Sequence, residues 1–229
     1  MVKIPDFYLF FEFASFFIAV ANYKYLRGTV LVWLIPFLGI VCIGESASRY
    51  QTHVLRQYST LINYAIAVCE TIFYGYLYYR LNSNRAIKKM ALWFVPVSLL
   101  MYLFFMVKFQ MRPYYMFYSL IVNGFLITIL ALSYLYYLFK NEYRTGLFRQ
   151  PGFWISFGAS IFYSGVSVAF AFVSAIQGIP IKMFGHSLVA VITWFFCAVL
   201  YTSFSIAVLV QRSNQKARMQ KAADQLPPE

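Results

Sequence analysis

The chain has 229 residues, of which 62% are hydrophobic and only 11% are charged. A soluble domain of this length carries about 25% charged residues, so the composition excludes an ordinary soluble fold. The formal net charge of +12 at pH 7 does not indicate nucleic-acid binding, because nucleic-acid binders concentrate basic residues on a soluble face and this sequence offers none.

Seven long apolar stretches, joined by short connections, occupy almost the whole chain. Apolar runs of about 17–25 residues are typical of membrane-spanning helices, since a helix rises about 1.5 Å per residue across about 30 Å of hydrocarbon. The runs are continuous rather than alternating, which favours helices over a transmembrane barrel. We therefore predict an all-α, polytopic integral membrane protein with one seven-helix domain over 1–211. Its predicted spans are 7–22, 29–44, 57–79, 91–107, 114–139, 152–177 and 185–210.

The basic residues of the connections predict the orientation of this bundle. With the N-terminus outside, the cytoplasmic side holds thirteen lysines and arginines and the outer side holds six. Cytoplasmic loops of membrane proteins carry such an excess. We therefore expect an outer N-terminus and a cytoplasmic C-terminus. Residues 212–229 then form a basic cytoplasmic tail, either solvated or folded as a short helix on the inner membrane surface.

Glu70, in the third span, is the first candidate for a functional residue. An ionisable side chain inside the membrane is costly, so it should face the bundle interior, pair with a partner or be protonated. Asn63, two helical turns earlier, and Tyr74, one turn later, share its helix face. This polar stripe indicates either a site for a proton, cation or ligand, or a neutral carboxyl group that hydrogen-bonds across helices.

Later spans also carry polar side chains at helical spacing. On the seventh span, Thr193 shares a face with Cys197 and Tyr201. The further candidates for an internal polar cavity are Asn123 in the fifth span, Ser160 and Ser164 in the sixth, and Thr193 in the seventh. Serines one turn apart are also typical of close helix packing, which is the competing interpretation for the sixth span.

Acids and histidines near the predicted outer ends of the spans suggest a second candidate site, an outer vestibule. Its members are Glu12, Glu45, His53 and His186. Imidazole and carboxylate groups together suit a transition metal or a pH sensor. The four residues come from separate elements and match no ligand spacing, so solvated rim residues give the same pattern and no metal is assigned.

Several functional classes lack the residues that they require. The seventh span contains no lysine, which excludes a retinal Schiff base. No HExxH motif, glycine-rich phosphate loop or paired-acid motif is present, and no nucleophile–base pair is visible for a lipid-modifying enzyme. We therefore expect no cofactor, and a non-enzymatic function is favoured over an enzymatic one.

The chain resembles an uncharacterised group of small seven-transmembrane-helix proteins of Bacteroidetes-type bacteria. The resemblance rests on Asn63 and Glu70, on the aromatic segment Tyr74–Tyr79, and on the run Arg149-Gln150-Pro151-Gly152-Phe153-Trp154. No activity is assigned to that group. The resemblance implies a multi-pass protein of the bacterial inner membrane.

Two functions are compatible with these features. The first is a receptor-like or signalling accessory protein, which binds a small-molecule ligand and acts through a separate cytoplasmic or membrane partner because its tail is too short for an output domain. The alternative is a small-solute or proton-coupled transporter that uses Glu70. The lipid bilayer is the expected surrounding of either, and nucleic acid is not an expected partner.

Overall fold

The protein is described by a computed structural model over residues 7–108, 113–141, 146–175, 182–183 and 186–224. These ranges are helical apart from short connections, so the all-α prediction is confirmed. The helices are α1 (Phe7–Ala21), α2 (Tyr23–Leu26), α3 (Leu34–Arg49), α4 (Thr60–Leu81), α5 (Arg85–Lys108), α6 (Pro113–Asn141), α7 (Pro151–Ala175) and α8 (Leu188–Ala223). Single turns of 3-10 helix cover Val30–Trp33 and Leu147–Arg149, a π-helical turn covers Tyr50–Val54, and a two-residue antiparallel pair joins β1 (Lys182–Met183) to β2 (His186–Ser187).

The long helices form an up-and-down ring in chain order. α1 packs on α3, α3 on α4, α4 on α6, α6 on α7 and α7 on α8, and α8 closes the ring against α1. α5 lies outside the ring, against α4 and α6. Short connections make sequential helices antiparallel neighbours. We call the end at which α1, α4, α6 and α8 begin the Phe7 end, and the opposite end the tail end.

Five helical segments of the described chain are long and apolar enough to cross a membrane. They are Val30–Val54, Arg85–Lys108, Tyr118–Lys140, Pro151–Phe172 and Leu188–Ala222. α1 is apolar but has only 15 residues, about five residues or one and a half turns fewer than a perpendicular span requires. α4 has 22 residues but is less apolar, because it carries five tyrosines together with Asn63 and Glu70. α4 contacts α3, α5 and α6, so its polar side chains have protein neighbours on several sides.

Helix α3 extends beyond the predicted end of the second span at residue 44. It continues to Arg49, and the π-helical turn extends the helical segment to Val54. The Ser46 hydroxyl donates to the Cys42 carbonyl at 2.7 Å, and the Thr52 hydroxyl donates to the Ser48 carbonyl at 2.8 Å. Polar side chains that bond to the preceding turn are compatible with a continuing helix, which is why a drop in hydropathy does not mark its end.

Helix α8 shows no break at the predicted boundary between the last span and the tail. It runs for 36 residues, from Leu188 to Ala223. Arg212 donates to Asn22 Oδ1 at 3.4 Å, and Asn214 Nδ2 donates to the Arg149 carbonyl at 2.8 Å. The first turns of the basic segment are therefore attached to the tail end of the bundle, while residues 225–229 of the predicted tail lie outside the described residues.

Aromatic side chains fill the middle of the bundle on its tail-end side. The Phe37 and Phe73 rings are stacked with centroids 3.9 Å apart, and Phe37 meets Phe204 edge-on at 6.4 Å. Tyr74 and Tyr78 are fully buried beside them. We call these five residues the aromatic layer. Buried aromatic rings contribute large apolar contact areas, and this layer joins α3, α4 and α8 into one core.

Small residues allow α7 and α8 to pack closely. A Cβ atom added to Gly158 would lie 2.5 Å from the Ser203 Cβ and 3.5 Å from the Leu200 Cα. The Leu200 atom belongs to the α8 backbone, which cannot rotate away as a side chain does. Close approach of this kind is how helices gain packing energy in a membrane, where lipid tails remove the hydrophobic drive between helices.

We predict that Gly158→Val destabilises the protein by about 1–3 kcal/mol, because the added methyl groups force α7 away from α8. The measurement is the midpoint of thermal unfolding of the purified full-length protein in detergent. Val168→Leu is the control, since Val168 lies on the same helix and is 61% exposed. Equal midpoints for the two variants would contradict the close α7–α8 contact.

Candidate functional site

A cavity of about 480 Å³ lies inside the ring. Its described walls come from six helices, α1, α3, α4, α6, α7 and α8, and α5 contributes no lining residue. On each helix the lining residues lie toward the Phe7 end, from Tyr8 and Ser187 near the rim to Tyr201 near the middle. The cavity therefore extends from the Phe7 end to about the centre of the bundle.

Glu70 stands at the floor of this cavity. It is the eleventh residue of α4, so it lies about 15 Å along the helix from Thr60. Tyr163 of α7 lines the cavity beside it, and the Tyr163 ring meets Tyr74 edge-on with centroids 5.3 Å apart. Tyr74 belongs to the aromatic layer, which closes the cavity on its tail-end side.

The floor also holds a buried hydroxyl group whose hydrogen bond is not completed. Tyr163 is only 7% exposed. Its hydroxyl approaches the Glu70 carboxyl group, but it meets no hydrogen-bond geometry with any described group. Leaving a buried donor unpaired costs about 1–3 kcal/mol. The floor thus presents a carboxyl group and a hydroxyl donor to an occupant of the cavity.

A second carboxyl group, that of Glu45, lines the cavity nearer its rim. The Tyr8 hydroxyl donates to Glu45 Oε2 at 3.2 Å. The Arg49 guanidinium lies over the Tyr8 ring, 4.8 Å from its centroid, and is within electrostatic range of the Glu45 carboxyl group. Arg49 follows Glu45 by one turn of α3. These contacts hold the Glu45 side chain in a defined position on the wall.

Glu12 is a third carboxyl group, placed just behind the wall. It is fully buried on α1 and is not a lining residue. Neither of its oxygens meets hydrogen-bond geometry with a described group, although the Cys42 thiol of α3 adjoins it. Glu12 is in electrostatic range of Glu45, Glu70 and Arg49. The Phe7-end half of the ring therefore concentrates three carboxyl groups around one guanidinium.

A hydrogen-bonded group at the rim fixes Asn63. The Ser48 hydroxyl lies 2.7 Å from Ser59 Oγ and 3.0 Å from Asn63 Oδ1. Asn63 Nδ2 in turn donates to Ser59 Oγ at 3.3 Å. Both Ser48 and Asn63 line the cavity. The group joins the end of α3 to the beginning of α4. It therefore restrains the position of α4, and of Glu70 on it, relative to α3.

Asn123 and Thr193 line the cavity from α6 and α8. The Thr71 hydroxyl lies 3.4 Å from Asn123 Oδ1, which links α4 to α6 one residue beyond Glu70. Thr193 is half-buried and lies one turn above Cys197 on the same lining face. Four of the residues predicted for an internal polar site, Asn63, Glu70, Asn123 and Thr193, are thus brought to one cavity.

Three other predicted interior residues lie elsewhere. Tyr74 belongs to the aromatic layer beneath the floor. The Ser160 hydroxyl donates to the Phe157 carbonyl at 2.9 Å, and the Ser164 hydroxyl donates to the Ser160 carbonyl at 2.6 Å. Both serines bond to the backbone of their own helix and neither is among the described lining residues of the cavity.

The proposed outer vestibule is not assembled by the described side chains. Glu45 lines the cavity, Glu12 is buried behind it, and His53 is exposed on the π-helical turn. His186 lies in β2, next to the lining residue Ser187, but its side chain is outside the described residues. Within the described ranges, no group of three or more histidine, cysteine, aspartate or glutamate side chains is placed to hold a metal ion.

Four residues of the site were not singled out from the sequence: Tyr8, Arg49, Tyr163 and Trp194. Tyr8, Tyr163 and Trp194 line the cavity, and Arg49 acts on its carboxyl groups. Aromatic residues in membrane spans are also typical of interfacial belts, which obscures such positions. Helical periodicity offered a signal, because Tyr8 precedes Glu12 by four residues and Trp194 precedes Cys197 by three.

Comparison with protein-family models, with curated proteins and with solved structures finds no match to this chain. The resemblance to small membrane proteins of Bacteroidetes-type bacteria therefore stays a prediction.

We predict that a cysteine at Thr193 is reached by a membrane-impermeant reagent from the outer side only. The variant is Thr193→Cys in the full chain with Cys42, Cys69 and Cys197 changed to alanine. Spheroplasts and inverted vesicles are treated with a cationic methanethiosulfonate, and modification is measured by mass. The cavity extends to this residue from the Phe7 end, which the basic residues of the connections predict to be the outer end, so modification should occur in spheroplasts.

Ala207→Cys in the same background is the matched control. Ala207 lies on the same helix and has no exposed surface in the tail-end half, so it should resist the reagent from both sides. Equal protection of the two cysteines would contradict an accessible cavity. Modification of Thr193→Cys in inverted vesicles alone would contradict an opening toward the outside.

Proposed function

We propose that this protein is a receptor-like or signalling accessory protein of the bacterial inner membrane, without enzymatic activity. In this proposal seven helices span the bilayer, and a small ligand enters the cavity from the outside. The observation that carries it is the form of the cavity, which reaches from the Phe7 end to Glu70 and stops at the aromatic layer. A site of this kind suits ligand binding on one side of a membrane.

Two features support the orientation and the number of spans. Among the described residues, the tail end holds twelve lysines and arginines and the Phe7 end holds four, and the positive-inside rule assigns the more basic end to the cytoplasm. α1 and α4 complete the ring between helices that are long and apolar enough to cross a membrane. Without them the cavity would lack Tyr8, Asn63 and Glu70, so all seven are assigned to the membrane domain.

Helix α8 is suited to carry a signal from the cavity to the cytoplasm. Its first half contributes Thr193, Cys197 and Tyr201 to the wall, and the same unbroken helix continues to Ala223. A continuous helix transmits a shift or rotation along its length because its hydrogen bonds keep it rigid. At the tail end, Arg212 and Asn214 bond to other parts of the bundle, so a displacement of α8 changes the surface there.

We predict that a separate partner contacts the described end of α8. A photo-crosslinking amino acid replaces Met219, which is 52% exposed, in full-length protein expressed in the native host. Irradiation should give one discrete protein adduct, identified by mass spectrometry as the same cytoplasmic or membrane signalling protein in repeated preparations. The reason is that α8 lines the cavity and continues unbroken to this surface, so a ligand-induced shift of the helix would be read here.

Phe195 provides the control position for the crosslinker. It lies on the same helix, is 64% exposed, and is placed on the bundle exterior within an apolar span. The adduct found with Met219 should be absent there. If Met219 yields no protein adduct, or the same adducts as Phe195, the account of a tail-end partner is wrong.

The alternative function is a transporter that uses Glu70 as its coupling group. Glu70 lies about halfway across the bundle, which is where transporters hold coupling ions. Transport would require the aromatic layer to open toward the tail end. Our proposal predicts that proteoliposomes of the wild-type protein show no proton flux above protein-free liposomes under an imposed pH gradient. Flux that is present in the wild-type protein and lost in Glu70→Gln would replace the receptor proposal with the transporter.

A further inference from the structure

We propose that the ligand of the cavity is a small organic cation, an ammonium compound that also carries an apolar or aromatic group. This inference rests on the proposed function, because it names the chemical class of the molecule that the same cavity binds. It follows from the charge of the wall, from the nature of its side chains and from its size.

The charge of the cavity favours a cationic occupant. Glu45 and Glu70 line it and Glu12 lies behind it, whereas no lysine or arginine is among its described lining residues. Arg49 acts on Glu45 from one side, near the rim. An anion in an apolar bundle requires a positive partner. The described lining offers no basic side chain at the floor. A ligand ammonium group there would form the ion pair with the Glu70 carboxylate.

The remaining wall suits the organic part of such a ligand. Five aromatic side chains line the cavity from two neighbouring helices: Phe162, Tyr163 and Phe170 of α7, and Trp194 and Tyr201 of α8. Aromatic faces attract ammonium groups and also pack against apolar groups. An inorganic anion or a carboxylate ligand would find no positive side chain among the described lining residues. The wall therefore selects for positive charge and for apolar surface in the same molecule.

The size of the cavity favours a small organic molecule over a bare metal ion. A volume of about 480 Å³ is much larger than an ion requires, and lies within the range of about 300–1,000 Å³ for small-molecule sites. The described side chains form no metal-binding group. The Tyr163 hydroxyl beside Glu70 adds a hydrogen-bond donor to the floor, which suits a polar group of an organic ligand.

The test compares three molecules of similar shape and different charge. They are 2-phenylethylammonium, 2-phenylethanol and phenylacetate, titrated into the full-length protein in lipid nanodiscs and followed by calorimetry. The wild-type protein should bind the ammonium compound at least about tenfold more tightly than the alcohol, with phenylacetate weakest, because the charge pair with Glu70 is lost in the other two.

Variants locate the selectivity at the floor. Glu70→Gln should lower the affinity for the ammonium compound by about tenfold and leave the alcohol unchanged. Tyr163→Phe should weaken both the ammonium compound and the alcohol, because it removes a hydrogen-bond donor that serves either. Asp224→Asn makes the same charge change as Glu70→Gln on the exposed end of α8, and should alter neither. The preference of the wild-type protein is itself sufficient, so a misfolded variant does not decide the outcome.

Each contrary result has a separate meaning. Equal or stronger binding of the alcohol or of phenylacetate overturns the cationic class while it supports a ligand site in the cavity. No binding of any of the three overturns this inference. In that case the accessibility of Thr193→Cys decides the proposed function, since an inaccessible cysteine removes the ligand-binding cavity as well, and an accessible one leaves the cavity in place without a cationic ligand.

Discussion

Glu70 places a carboxyl group halfway along α4, in the middle of the ring of helices. A carboxyl group near the centre of a membrane helix costs several kcal/mol unless its surroundings are polar or it is neutral. The ring meets this constraint by turning Glu70 inward, beside Tyr163, at the floor of a cavity that Asn63, Asn123 and Thr193 also line. The low hydropathy of α4 follows from the same requirement, because this helix lies between α3, α5 and α6.

The two halves of the bundle differ in structure. The tail-end half is closed by the aromatic layer, in which Phe37 and Phe73 stack and Tyr74 and Tyr78 are fully buried. The Phe7-end half holds the carboxyl groups and the cavity. Helix α8 belongs to both halves, since it lines the cavity and continues to the basic tail end. In our proposal, the Phe7-end half binds the ligand and the tail-end half responds to it.

The sequence predicts the parts of this structure that depend on local pattern. Hydropathy identifies the apolar helices, and helical periodicity puts Asn63 on the same face as Glu70, where both line the cavity. The positions that depend on neighbouring helices are harder to predict. Ser160 and Ser164 have the spacing of a polar stripe, yet their hydroxyls bond to their own backbone. Glu12 and His53 have the chemistry of a vestibule, but one is buried behind the wall and the other is exposed on a turn.

We infer that the cavity is hydrated from one side and sealed at the aromatic layer. Radiolytic hydroxyl-radical footprinting of the full-length protein in nanodiscs tests this inference. Radicals form from water in place, so side chains are oxidised where water reaches them. Our account predicts oxidation of Trp194 and Tyr201, which line the cavity, and protection of Tyr74 and Tyr78, which have no exposed surface. Protection of all four side chains would contradict a hydrated cavity, and oxidation of all four would contradict the seal.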